Sequence, residues 1–273
     1  MSENAALYPA ACRGLPLPVR NQIVFEHPLN ERSRMLLRLS HLFRQFAFHL
    51  GRDSLWDSRA AMTALLDIAS VLGRADIKSE LIKELERHAA TLGRMAADPR
   101  VDRERLQEIL GDIEANNRAI QRLNGQLGLD IRNDDFLKAV AQRSAVPGGN
   151  CDFDLPHYHF WLQKPFAERA ADLERWSLTV APVKTSVDLL LSLIRGSSRP
   201  VQEVARQGFF QQSLDPGLPS QLVRVILPAQ SGLVAEISGG KHRFTIRFLE
   251  GRVVERPPQT RQDVTFGLTT CVI

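Results

Sequence analysis

The sequence has few cysteines, and their spacing pairs none of them. Cys12, Cys151 and Cys271 are the only three; they lie far apart and outside any C-x-x-C, which argues against a disulfide framework, a zinc ribbon or a redox couple and for a reducing compartment such as the cytoplasm. A long apolar run is also missing. The longest, residues 187–194, carries Asp188 and Ser192 and falls well short of the roughly 20 residues that span a bilayer. The opening MSENAALYPAACRGLPLPVRNQ has no basic stretch followed by an apolar one, so no secretory signal is expected, and residues 1–22 read as a loose Ala/Pro-rich extension. No G-x-S-x-G, H-E-x-x-H or G-x-G-x-x-G signature is present. Neither an enzyme nor a bound cofactor is therefore expected.

What is present suits an ordinary soluble protein: 44% hydrophobic and 24% charged residues over 273 positions, enough for one large or two modest cores. The formal charge is +4 and the pI about 9.2. Residues 197–273 hold nine Lys or Arg against six Asp or Glu, so most of the excess sits near the C-terminus, where an acidic partner would be favoured.

Two textures divide the chain. Up to about residue 196 the apolar period is helical. Asn30 can cap a helix with Met35, Leu36, Leu39, Leu42, Phe43 and Phe46 as its stripe and Arg34, Arg38 and Arg44 largely outside it. Asp53 or Ser54 opens a second helix, with Met62, Leu65, Leu66, Ala69 and Leu72 inward and Gly73 at its end. A third begins at Asp76. A fourth, from about Asp102 to Asn124, places Leu106, Ile109, Leu110, Ile113, Ile120 and Leu123 at three- and four-residue steps, and the short link predicts that these two helices pair antiparallel. From Pro200 onward the period is two: LVRVILP, LVAEIS, HRFTIRF and DVTFGLTTCVI predict an antiparallel sheet, which QIVFEHPL near the start could join. The expected fold class is α+β, with a mainly helical domain over residues 23–196 and a smaller antiparallel β domain over 197–273.

The segment GGKHRFTIRF, residues 239–248, places Phe244, Ile246 and Phe248 on one face of a strand and Lys241, Arg243, Thr245 and Arg247 on the other. ISGGKH does not meet the phosphate-loop pattern, which needs a glycine where Ala235 stands and Ser or Thr where His242 stands. A two-residue Gly239–Gly240 turn would set Glu236 opposite Arg243, Ala235 opposite Phe244 and Leu233 opposite Ile246. Arg247 would then face Gly232 and lack an acidic neighbour. Arginine on a stiff sheet suits the carboxylates of a partner peptide. A nucleic-acid surface would instead need aromatic rings on the basic face, and Phe244 and Phe248 point the other way. A second cluster, Cys151, Asp152, Asp154, His157 and His159, has ligand types for a metal-dependent enzyme. Pro156, however, favours a helix start that turns His157 and His159 apart.

Four blocks, IVFEHPLNERSRMLLRLSHLF, SELIKELERH, VPGGNCDFDLPHYHFWLQ and ISGGKHRFTIRF, together resemble the ZapD family of bacterial cell division proteins. The resemblance implies a non-catalytic cytoplasmic homodimer with a helical and a β-strand domain, recruited to the division ring at midcell. It implies binding to the C-terminal tail of the division GTPase FtsZ, cross-linking its filaments into bundles, with no membrane or nucleic-acid partner. By the same resemblance Arg74, Arg243 and Arg247 contact the tail, while Arg38, His159 and Lys241 belong to a basic surface for bundling. One departure is Phe136, which stands where the family can carry a basic residue, flanked by Arg132 and Lys138.

Overall fold

The Asn30 side chain accepts a 2.8 Å hydrogen bond from the Ser33 amide and starts α1 (Glu31–Leu50). The computed structural model describes residues 21–74, 76–252 and 257–272; residues 1–20, Cys12 among them, lie outside the described residues. The described chain divides into two compact units, one formed by the residues up to Arg34 with those from Ser192 onward, the other by Met35–Leu191. Together they make an α+β protein.

In the helical unit the apolar stripes turn inward as the 3.6-residue period requires. On α1, Met35, Leu36, Leu39, Phe43 and Phe46 are buried, with Leu42 at the margin and Arg38 exposed. The Ser54 hydroxyl caps α2 (Leu55–Leu72) by accepting from the Asp57 amide. Ala61, Ala64 and Ile68 are buried there along with Met62, Leu65, Ala69 and Leu72, whereas Leu66 is only half-buried. α3 (Ile77–Arg94) and α4 (Arg103–Arg122, capped by Asp102) follow. Lys78 at the start of α3 donates to the Leu123 carbonyl just past α4 at 2.5 Å, which makes the pair antiparallel. Ile109 and Leu110 of α4 remain half-buried, while Leu106, Ile113 and Ile120 are buried.

The short α5 (Leu129–Asn133) and α6 (Asp135–Ser144) lead to α7 (Pro156–Gln163), α8 (Phe166–Ser177) and α9 (Ala181–Gly196). The stretch Phe166–Gly196 is long and apolar enough to cross a membrane by length and composition. A 3-10 turn at Leu178–Val180 breaks it, and one side, with Leu173, Val183, Val187, Leu190 and Leu191, is buried in the protein.

The β unit holds two antiparallel sheets. One has the order β1-β4-β7-β2, from Gln22–Pro28, Ser220–Pro228, Val264–Val272 and Val201–Ala205; the other has the order β3-β6-β5, from Phe209–Ser213, Arg243–Glu250 and Leu233–Gly239. Their apolar faces share one core, in which Phe244, Ile246 and Phe248 are fully buried and the Phe248 and Phe266 rings lie 5.0 Å apart. β2 and β3 carry no strong strand pattern. They are joined by Gln207 (φ 49°) and Gly208 (φ 72°), the pair of left-handed residues that a tight hairpin turn demands.

A half-buried carboxylate ties this unit together. Glu26 on β1 accepts two hydrogen bonds from Arg195 (2.9 and 2.8 Å) and one from Arg224 on β4 (3.0 Å). Burial alone would raise the Glu26 pKa, but the hydrogen bonds and charges of Arg195 and Arg224 outweigh it and hold it below the usual value.

Candidate partner-binding surface

The strand β6 is amphipathic by alternation, so its register against β5 and β3 decides which outward side chains meet. Observed pairs are Glu236 with Arg247, Ile237 with Ile246, Ser238 with Thr245 and Gly239 with Phe244. This corrects the register expected from a Gly239–Gly240 turn: Gly239 belongs to the strand, and the chain reverses across residues 240–243. The two registers differ by an even number of residues, and an even slip keeps every side chain on its face. Apolar alternation is therefore blind to the difference. Close packing is not, because a Cβ on Gly239 would come within 2.6 Å of the Phe244 Cβ, an approach that only glycine allows.

The consequence for charge is a reversal of roles. Arg247, expected to be unopposed, donates to Glu236 at 2.5 Å, while Arg243, expected to face Glu236, stands opposite Ser213 of β3. Among the described residues Lys241, His242 and Arg243 have no carboxylate within ion-pairing distance. All three are exposed and border an open depression of about 420 Å³ that Gln211 and Thr245 also line. The turn carrying them is held by the Leu214 amide donating to the His242 carbonyl (2.8 Å) and the Gly240 amide donating to that of Arg243 (3.1 Å). Positive charge thus sits on a fixed loop rather than a floppy one. His242 and Gln211 were not singled out from sequence; the basic run KHR was the only signal for His242, and Gln211 had none.

The remaining expected residues lie in the helical unit. Arg74 is exposed after α2, 3.6 Å from the Asp76 carboxylate. Arg38 is exposed on α1 with no ion pair among the described residues. His159 is half-buried in α7, its Nδ1 2.9 Å from the Asp152 carboxylate. Asp152 also faces Arg59 at 3.5 Å, and Arg59 donates to the Asn150 carbonyl at 2.9 Å and lies over the Tyr158 ring. Cys151 lies 3.4 Å from Asp154. The acidic members of this cluster are thus bound up in fixing the start of α7, which begins at Pro156. No group of three or more His, Cys, Asp or Glu among the described residues is arranged to hold a metal. Burial pushes the Tyr158 phenol up to about 12 and the Cys271 thiol up to about 11, so neither is an accessible nucleophile near neutrality.

Phe136 has a packing role. Its ring stacks on Trp176 at 5.7 Å and meets Trp161 and Tyr158 at 6.0 and 6.2 Å. The neighbouring Arg132 donates to Gln126 Oε1 and the Ala69 carbonyl, whereas Lys138 is exposed.

A family model described as ZapD, cell division protein, matches residues 37–247. Proteins named cell division protein ZapD are similar over nearly the whole chain. The one from Methylococcus capsulatus is 44% identical over 93% of this chain and all of its own length. That from Azoarcus sp. is 38% identical over 92% and 100%, and that from Chromobacterium violaceum 39% over 91% and 99%.

Proposed function

The chain belongs to the ZapD family of cell division proteins, and from that premise we propose that it binds the C-terminal tail of FtsZ and, as a homodimer, cross-links FtsZ filaments at the midcell ring in the cytoplasm. The observation that carries this reading is the unopposed charge of Lys241 and Arg243, with the His242 imidazole between them, around an open depression on the β5–β6 hairpin. Carboxylates of an acidic segment supply what that charge lacks, through charge-assisted hydrogen bonds to the arginine fork. Arg247 joins by exchanging Glu236 for a carboxylate of the partner. In the helical unit Arg74, weakly held by Asp76, also contacts the tail and Arg38 and His159 serve bundling, as Lys241 does in the β unit. Two hairpins per dimer turn modest single-site binding into cross-linking through effective concentration, with no chemical step.

The test is titration of a synthetic FtsZ tail peptide against the full chain, with co-sedimentation of full-length and tail-less FtsZ alongside. Saturable binding that weakens as salt rises, and bundling that needs the tail, are expected, since exposed charge contacts are screened over roughly 8 to 10 Å in ordinary buffers. Equal bundling of tail-less FtsZ, or an affinity indifferent to salt, would overturn the reading.

A further inference from the structure

The outward face of the β3-β6-β5 sheet is not basic throughout. Its side chains can be read row by row from the register. Ser213 stands beside Arg243, then Gln211, Thr245 and Ser238 share a row, then Phe209, Arg247 and Glu236, and finally Gln259, Leu249 and Val234. The first two rows are polar and open onto the turn that bears Lys241 and His242. The last two hold Phe209 on β3, Leu249 on β6 and Val234 on β5, with Leu249 paired to Val234 and the Arg247–Glu236 ion pair between Phe209 and Val234; Phe209 is 43% and Val234 41% exposed. A single exposed apolar residue is ordinary. Three on successive rows of one sheet face, flanking the Arg247–Glu236 pair on a face otherwise made of Ser, Gln, Thr, Arg and Glu, add apolar contact area to it.

We propose that this face is a two-part peptide site, in which Phe209, Val234 and Leu249 take an apolar side chain of the same extended acidic segment whose carboxylates lie at Lys241, His242 and Arg243. The inference rests on the hairpin being the tail-binding surface and adds a spacing to it. Strand rise is about 3.3 Å per residue. An extended segment lying along β6, with carboxylates at Arg243, therefore meets the Phe209 row about four residues on and the Leu249 row about six. The occupant is an acidic stretch followed or preceded, about four to six residues away, by a leucine-like or aromatic side chain. Charge complementarity at one end fixes the sign of the partner, and the apolar rows at the other fix its anchor. Apolar contact is not screened by salt, so part of the affinity survives high ionic strength.

The experiment pairs two peptides with two proteins. One peptide carries consecutive aspartates and a leucine about five residues away; the other has serine in place of that leucine. The proteins are the full chain and its Phe209→Thr/Val234→Thr variant, in which threonine keeps strand propensity, with circular dichroism confirming that both are folded. The unmodified protein should lose about tenfold in affinity on the leucine-to-serine exchange, a loss characteristic of one well-seated apolar group. The variant should bind both peptides alike, which is the coupling expected of groups in contact. Equal losses in both proteins, no loss in either, or no binding of either peptide would overturn the two-part site. So would a single-stranded oligonucleotide that outcompeted the leucine peptide and was weakened by the same variant, since Phe209 would then be a stacking platform. Should the FtsZ tail bind the variant and the unmodified protein equally, the apolar subsite fails while tail binding stands. Should the leucine peptide show the coupling while the FtsZ tail does not bind, the subsite stands and the tail reading fails.

Discussion

Charge is handled in opposite ways by the helical unit and by the β6 hairpin. On the helices, acidic and basic side chains fall three or four residues apart and satisfy each other: Arg105 with Glu108 at 2.7 Å, Lys184 with Asp188 at 2.8 Å, Arg175 with Asp172 at 3.0 Å and Arg118 with Glu114 at 3.5 Å. Each such pair contributes only a few tenths of a kcal/mol, and other helical charges, Arg38, Lys83, Arg103 and Lys138 among them, have no ion pair among the described residues. On the hairpin, neighbours along the strand point to opposite faces, so Arg243 finds no partner in its own segment and faces a serine across the sheet. A turn that carries Lys241 beside it adds to the imbalance. What distinguishes the two regions is therefore geometry more than composition. Helical spacing neutralises charge locally, whereas a strand end keeps it for a partner.

The largest effect should come from the buried side of the same strand. Phe248→Ala removes a fully buried ring that packs on Phe266 and should cost about 3 to 5 kcal/mol in denaturant unfolding of the β unit, with tail binding lost along with it. A variant that kept its stability would show that the outer basic face does not depend on this core.

The next test concerns a charge that the helical unit does not display. His88 on α3 is fully buried, and burial, followed by the nearby Arg87 charge, lowers its pKa to about 4 despite the opposing pull of Glu84. Because the unfolded chain takes up a proton at this site near pH 6.5 while the folded one resists until about 4, stability should fall as pH drops through that window, by about 3 kcal/mol. Glu26 acts in the same direction lower down, its contribution being lost as pH falls through its depressed folded value. His88→Leu should flatten the upper part of the profile in thermal melts. An unchanged slope would place the proton uptake elsewhere.

The smallest effects sharpen the comparison most. Arg243→Glu should weaken tail binding about thirtyfold, around 2 kcal/mol, as expected when an interface arginine is reversed. Arg247→Glu should cost less, because Arg247 already shares its charge with Glu236. Glu236→Gln should tighten binding a few-fold by freeing Arg247. If Arg247→Glu proved the more damaging of the two reversals in a peptide titration, the hairpin register would not be what sets the site.

Much of this was legible without the fold. The stripes of α1 and α2, the Asn30 cap, a second helix opening at Asp53 or Ser54, a fourth starting near Asp102, and the inward trio Phe244, Ile246 and Phe248 all follow from period and capping chemistry. β2 and β3 escaped because VQEVA and FFQQS carry too many polar residues to alternate clearly, and their turn uses Gln-Gly in place of the usual Asn-Gly. The apolar rows of the outer face were hidden for a related reason: Phe209, Val234 and Leu249 belong to three different strands and come onto one face only through pairing.

By itself the sequence determined periodicity, and with it the helical and β character of the two regions and the apolar side of each strongly periodic element, since those depend only on residues close in the chain. Tertiary structure alone decided which arginine is neutralised and which is left exposed. A slip of four residues in a hairpin preserves every face, so the register is decided by contacts between strands, where Gly239 faces Phe244 and leaves no room for a side chain.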